Sequence, residues 1–206
     1  QDYLSHVKNQ QIPPAPPDGL IFTGHNFTVD PEHWRGYREA RSFCNRLGMW
    51  PVVDQIWTKA LADWIGDRRV LEIMAGGGWL ARALTEQGIS IVATDNFSWG
   101  KVQHSEMTPV FPIRKIEATK AVRSIAADVL LVSWPPYEDD TIIKVCRTWG
   151  PNRPIIYIGE HDGGCNAPAE FFEHFQEIDN QPNIPLMSWD GIHDYALIGF
   201  FNNLVS

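Results

Sequence analysis

The sequence predicts an α/β fold: a mostly parallel sheet closed by an antiparallel strand, with an N-terminal helical cap. Three observations carry the expectation. From residue 69 onward, short apolar runs alternate with stretches of helical periodicity, the pattern of strands joined by crossover helices. Two of the runs end in turns marked by glycine or proline, Glu72-Ile-Met-Ala-Gly76-Gly-Gly78 and Ser133-Trp-Pro-Pro-Tyr137. The last two runs, 184–189 and 195–201, lie too close together for a crossover and are expected to pair antiparallel.

Taken in order, residues 11–19 hold Pro13, Pro14, Pro16, Pro17 and Gly19, which neither a helix nor a central strand accommodates, so an extended arm is expected. Between residues 31 and 67, apolar and aromatic side chains recur at helical spacing, as Trp57, Leu61 and Trp64 do, with Gly48 and Pro51 separating two helices. Residues 1–67 therefore read as arm and cap, and 68–206 as the sheet domain. There, 70–74 is a strand, 79–87 a helix stopped by Gly88, and 89–94 a second strand ending at Asp95. A helical crossover makes those two strands parallel. Further strands are expected at 113–116, 129–133 and 155–158, and helices at 139–148 and 167–178.

Composition narrows the function. The chain has 206 residues, 44% hydrophobic and 20% charged, ordinary values for a globular domain with a sizeable core plus an appendage. A formal charge of −8 and the lack of a Lys/Arg run disfavour a nucleic-acid partner. Cys44, Cys146 and Cys165 are odd in number and scattered, which fits a reducing compartment, so a cytoplasmic (intracellular) setting is expected. No apolar run approaches the roughly 18 residues of a membrane span, and no membrane association is expected. No spaced Cys or His pair matches a structural zinc pattern, so no metal is expected.

The glycines of 72–78 let the backbone pass close to a ligand, and the helix after them aims its first N–H groups at negative charge. Asp95, closing the second strand, is placed to accept from the hydroxyls of a ribose. A loop that only packs helix on strand is the plain alternative. A dinucleotide site is disfavoured, because the G-x-G-x-x-G spacing is absent.

On these residues the chain resembles the class I, Rossmann-like S-adenosyl-L-methionine (SAM)-dependent methyltransferases over about residues 68–206. Glu72 to Gly78 matches that family's first motif, Asp95 its ribose acid, and Trp134-Pro135-Pro136-Tyr137 its fourth-motif position. The resemblance implies SAM as cofactor, held by Glu72, Ala75, Gly76, Gly78, Asp95, Asn96 and Ser133. It further implies that Glu117 and Ala118 meet the adenine and that Phe97 covers its face.

Three polar loops come after the fourth, fifth and sixth strands and are expected to ring the reacting end: 134–137, 160–165 and 189–194. The candidate catalytic residues are Trp134, Pro135, Pro136 and Tyr137, which would position an acceptor, and Glu160, His161 and His193, which could take a proton. Each of the acidic and histidine residues taken singly has a turn-forming explanation. The resemblance to amino-directed methyltransferases is broken at Trp134, which stands where they carry Asp, Asn or Ser. An indole donates one hydrogen bond and accepts none, so it cannot receive a base amino group. A small-molecule or protein acceptor is therefore expected. A DNA or RNA amino methyltransferase and a non-catalytic SAM-binding partner are the alternatives. Trp34, Trp50, Trp57 and Trp64, four of nine tryptophans, could either shape an apolar pocket mouth or staple the cap to the sheet.

Overall fold

A computed structural model describes residues 2–18, 31–98 and 108–202. Among the described residues, three helices come first: α1 (Tyr3–Lys8), α2 (Pro31–Arg46) and α3 (Gln55–Ile65). The buried Asp54 caps α3 by accepting from the backbone N–H groups of Ile56 and Trp57. The Tyr3 hydroxyl donates to the Val53 carbonyl and accepts from the Val53 N–H, which ties α1 to the segment before α3. The proline arm drapes over the same place. Its Ile12 is buried, and the Gln55 N–H donates to the Pro13 carbonyl.

The sheet domain runs β1 (Val70–Ile73), α4 (Trp79–Glu86), β2 (Ile91–Asp95), β3 (Ile113–Lys115), α5 (Ala118–Ser124), β4 (Val129–Ser133), α6 (Thr141–Trp149), β5 (Ile155–Glu160), α7 (Ala169–His174), β6 (Phe175–Glu177) and β7 (Asp194–Phe201). Its strand order is β3-β2-β1-β4-β5-β7-β6. All pairs through β5 are parallel, while β7 runs antiparallel to both β5 and β6. This is the expected Rossmann-like α/β class. Strands β1, β4 and β5 are buried along their whole length, as a sheet covered on both faces requires.

Alternate strand residues serve opposite faces. Val70, Leu131 and Ile156 pack with Trp57, Leu61 and Trp79, so α1, α3 and α4 cover one face. Leu71, Leu130 and Tyr157 pack with Val122, Val145 and Phe171, so α5 to α7 cover the other. A division at residue 67 thus separates two parts that share a core.

Several expectations are corrected. Residues 184–189 are not a strand, because Pro185 has no N–H to offer a ladder and Leu186 N–H instead turns back to the Ile184 carbonyl. The partner of β7 is β6, inside the span 167–178 expected to be one helix. That helix stops at His174 because Phe175 is drawn into a ring cluster with Phe171 and pairs with Phe201 across the sheet edge. Helices α1 and α5 were not expected; α5 is started by Glu117, whose carboxylate accepts from the Thr119 and Lys120 N–H groups.

Candidate cofactor cleft

The chain builds outward from β1 through β2 to β3, then returns to place β4 on the other flank of β1. Strand order reverses at that point, and a crevice opens beyond the carboxyl ends of the strands. A cleft of about 200 Å³ lies there. Its walls include Asp95, Asn96 and Ser98 after β2, Ile116 to Ala118 after β3, and Trp134 and Pro136 after β4. Met74, Trp50, Asp139 and Thr141 complete it.

The loops at its rim are held in costly conformations. Met74, Phe97 and Trp134 come after β1, β2 and β4 with φ of 55°, 58° and 53°, a region that bulky residues rarely enter. Each such residue costs on the order of 1–3 kcal/mol and persists only where its surroundings over-determine it. The fixing bonds are visible: Ala75 N–H to the Thr94 carbonyl, Phe97 N–H to Asp95 Oδ1, and Trp134 N–H to the Ile158 carbonyl.

Asp95 is buried and organises two of these loops, accepting from Gly76 N–H at 2.8 Å and from Phe97 N–H at 2.5 Å. Glu72 lies deeper, 1% exposed, with its Oε2 lacking a hydrogen bond. Burial, reinforced by the charge of Asp95, pushes the Glu72 carboxyl up to about 8. Ser133 Oγ is also buried without a partner. Glu72 and Ser133 line a second, inner chamber with Ala75, Gly48 and Trp79, and it holds only about 10 Å³, the space of one water. Trp50 and Met74 line both cavities and stand between them.

No family model matches the chain, and no curated protein matches it. Solved structures do. The chain is similar to a SAM-dependent methyltransferase from Archaeoglobus fulgidus at 15% identity, covering 77% of this chain and 97% of that one, with a TM-score of 0.44. It is similar to the Burkholderia thailandensis 1,6-didemethyltoxoflavin-N1-methyltransferase at 13% identity, covering 89% and 95%, with a TM-score of 0.46. TehB from Haemophilus influenzae is 8% identical over 70% of this chain, which spans 61% of that protein, with a TM-score of 0.43.

The glycine loop is the main departure from expectation at this end. Its three glycine N–H groups are all engaged within the protein: Gly76 with Asp95, Gly77 with the Gly48 carbonyl, and Gly78 with the Ala75 carbonyl. A Cβ on Gly76 would lie 2.6 Å from Gly48 O, and one on Gly77 would lie 2.1 Å from Leu47 O. Glycine is required there because the backbone after α2 presses on the loop. Gly78, at φ 77°, caps α4, and a Cβ there would meet Phe111.

Of the other expected cofactor residues, Asn96, Glu117 and Ala118 do line the cleft, whereas Phe97 does not. The cleft's apolar lining includes Met74 and Ile116 instead. Burial opposes ionisation of Glu117, but its hydrogen bonds to Thr119 and Lys120 outweigh that and hold the carboxyl below its ordinary value.

The expected reaction end divides. Trp134 and Pro136 reach the cleft, and the Trp134 ring lies 6.4 Å from that of Trp50 at an interplanar angle of 18°. Tyr137 does not line it and is 57% exposed. His161 is turned away, packing on Phe172 and Tyr195 with Nε2 3.7 Å from Glu177. Pro135 is committed to structure, its carbonyl accepting from Ala167 N–H. Glu160 accepts from the Cys165 N–H and thiol and from the His193 N–H. Burial works against its ionisation, yet those bonds prevail and keep the carboxyl below its ordinary value. The His193 ring lies 3.9 Å from Glu160 on the exposed side. Among the described residues, no cluster of His, Cys, Asp and Glu could hold a metal ion, and no helix is long and apolar enough to cross a membrane.

Three residues complete the site, of which Trp50 and the 189–194 loop holding Asp194 were expected near the pocket and Arg41 was not. Trp50 enters from the N-terminal region. Asp194 Oδ1 accepts from the Trp134 indole at 2.9 Å, and burial, only partly countered by that bond, pushes the Asp194 carboxyl up to about 7. Arg41 has its guanidinium carbon 5.7 Å from the centre of the Trp134 ring. No sequence spacing links residues 41, 50, 134 and 194.

Proposed function

We propose that the chain is a SAM-dependent methyltransferase whose cofactor lies in the cleft beside β1. The observation that carries this reading is Asp95: a buried carboxylate at the end of β2, on the cleft wall, at the point where strand order reverses. Its oxygens would accept from the two ribose hydroxyls. Met74, Ile116 and Ala118 offer apolar contact for an adenine, and Asn96 and Glu117 offer polar groups at its edge. The unpartnered Glu72 Oε2 and Ser133 Oγ fit a ligand that ends in an ammonium group.

Bound there, SAM would supply an electrophilic methyl group on a sulfonium. The protein's own part is alignment and exclusion of water, for which Trp50 and Trp134 are placed on the cleft wall. The acceptor we favour is a small molecule or a protein side chain. Among the described residues the cleft is lined by Asp95, Glu117 and Asp139 and by no Lys or Arg, a poor surface for a polyanion. The Trp134 indole N–H is already given to Asp194 and offers a base amino group nothing.

A second reading, a SAM-binding partner without catalysis, draws on Tyr137, His161 and Glu160, which face away from the cleft or are engaged elsewhere. Calorimetric titration with SAM, and then incubation with labelled SAM and, separately, a metabolite extract, protein, DNA and RNA, tests both. Label in small molecules or protein is the expected result. Tight SAM binding with label nowhere would favour the partner reading, and label in DNA or RNA would favour amino methylation of nucleic acid.

A further inference from the structure

The outer cleft and the inner chamber share two wall residues, Trp50 and Met74. The segment between α2 and α3, residues 47–51, lies across the glycine loop: the Gly48 carbonyl accepts from Gly77 N–H at 2.9 Å, and the Leu47 carbonyl accepts from the Trp79 indole at 3.0 Å. The two donors flank the start of α4: Gly77 comes just before its N-cap Gly78, and Trp79, which gives its side-chain indole, is its first residue. Met49 is buried in the core and anchors the segment, while Trp50 stands at the doorway between the two cavities. Behind it, Glu72 Oε2 and Ser133 Oγ are buried without partners, in a chamber with room for about one water. Two unmet polar atoms among mainly apolar walls are costly, since each forfeits its hydration.

We propose that residues 47–51 are a built-in competitor for the amino-acid end of the ligand. Resting on the cofactor reading, the inference is that the adenosine part of SAM enters the open outer cleft directly. The ammonium and carboxylate end reaches Glu72, Ser133 and the Gly77 N–H only when Gly48 and Trp50 withdraw. The Gly48 carbonyl then gives up Gly77 to the incoming carboxylate, and the Glu72 carboxyl gains an ammonium partner. Affinity for the whole ligand is scaled down to the fraction of molecules in which the segment is withdrawn, whereas affinity for the adenosine part is not. Anything that loosens the segment therefore strengthens SAM binding selectively.

The test compares SAM with 5′-methylthioadenosine, which carries the adenosine and a thioether but no amino-acid end. Trp79→Phe removes the bond to Leu47 and is expected to raise SAM affinity about two- to tenfold while leaving 5′-methylthioadenosine affinity unchanged. Hydrogen exchange on the unaltered protein gives an independent readout. SAM should speed exchange across residues 47–51, and 5′-methylthioadenosine should not. Equal shifts for both ligands in the variant, or equal protection of 47–51 by both, would overturn the competition while leaving the cofactor reading in place. Failure of either ligand to bind the unaltered protein would overturn both.

Discussion

The two flanks of β1 treat polar strand ends in opposite ways. On the β2–β3 flank, Asp95, Asn96 and Glu117 line an open cleft. On the β4–β5–β7 flank, Glu160 and Asp194 lie at strand ends too, but both are buried and bonded to neighbouring loops. The difference comes from the path the chain takes as it leaves each strand. Residues after β5 fold back at once, so that Cys165 closes on Glu160, joined by His193 from just before β7, while Asn166 accepts from the Glu160 N–H and bridges to Pro136. Asp95 holds loops together and also faces the crevice, whereas Glu160 and Asp194 hold loops without lining it.

The sharpest test of the open flank is Asp95→Ala, which should weaken SAM binding by about 1.5–3 kcal/mol through loss of charge-assisted hydrogen bonds, read by calorimetry. Unchanged affinity would remove Asp95 from the site. Next comes Gly77→Ala, whose methyl would meet Leu47 O. Displacing backbone there should destabilise the fold by about 1–3 kcal/mol in urea unfolding, and a stability equal to the parent would show that the segment does not press on the loop.

Glu72, on β1 behind the open cleft, makes stability sensitive to pH. Its folded value of about 8 exceeds that of an unfolded glutamate, so the folded state binds the extra proton and stability falls as pH rises from about 4.5 to 8. The slope from one such group approaches about 1.4 kcal/mol per pH unit within that window. Glu72→Gln should flatten the fall in Tm between about pH 5 and pH 8. Parallel curves for parent and variant would mean that Glu72 is not held protonated.

Asp194→Ala, on the closed flank, should cost about 1 kcal/mol by leaving the Trp134 indole without its acceptor, and Asp194→Asn, which keeps an acceptor oxygen, should restore most of it. Equal losses would point to charge rather than the hydrogen bond. Smallest of all is Tyr137→Ala. An exposed ring outside the cleft should change stability by no more than about 0.5 kcal/mol and leave SAM affinity unaltered. A large loss of SAM affinity in that variant would place Tyr137 at the cofactor and blur the distinction between the flanks.

The sequence by itself determined the parallel strands β1, β2, β4 and β5, since long buried runs and helical periodicity are local signals that survive into the fold. It also placed Asp95 at a strand end beside the glycine loop, because a βαβ unit brings those positions together at a fixed distance along the chain. Tertiary structure alone decided the rest. Phe175 left a helix for a strand because Phe201 was there to pair with it. The backbone of residues 47 and 48 presses on Gly76 and Gly77, and Asp194 fixes Trp134. These contacts join positions far apart in the chain, and the cost of closing such loops is met only by the packing of the whole core, which no local pattern encodes.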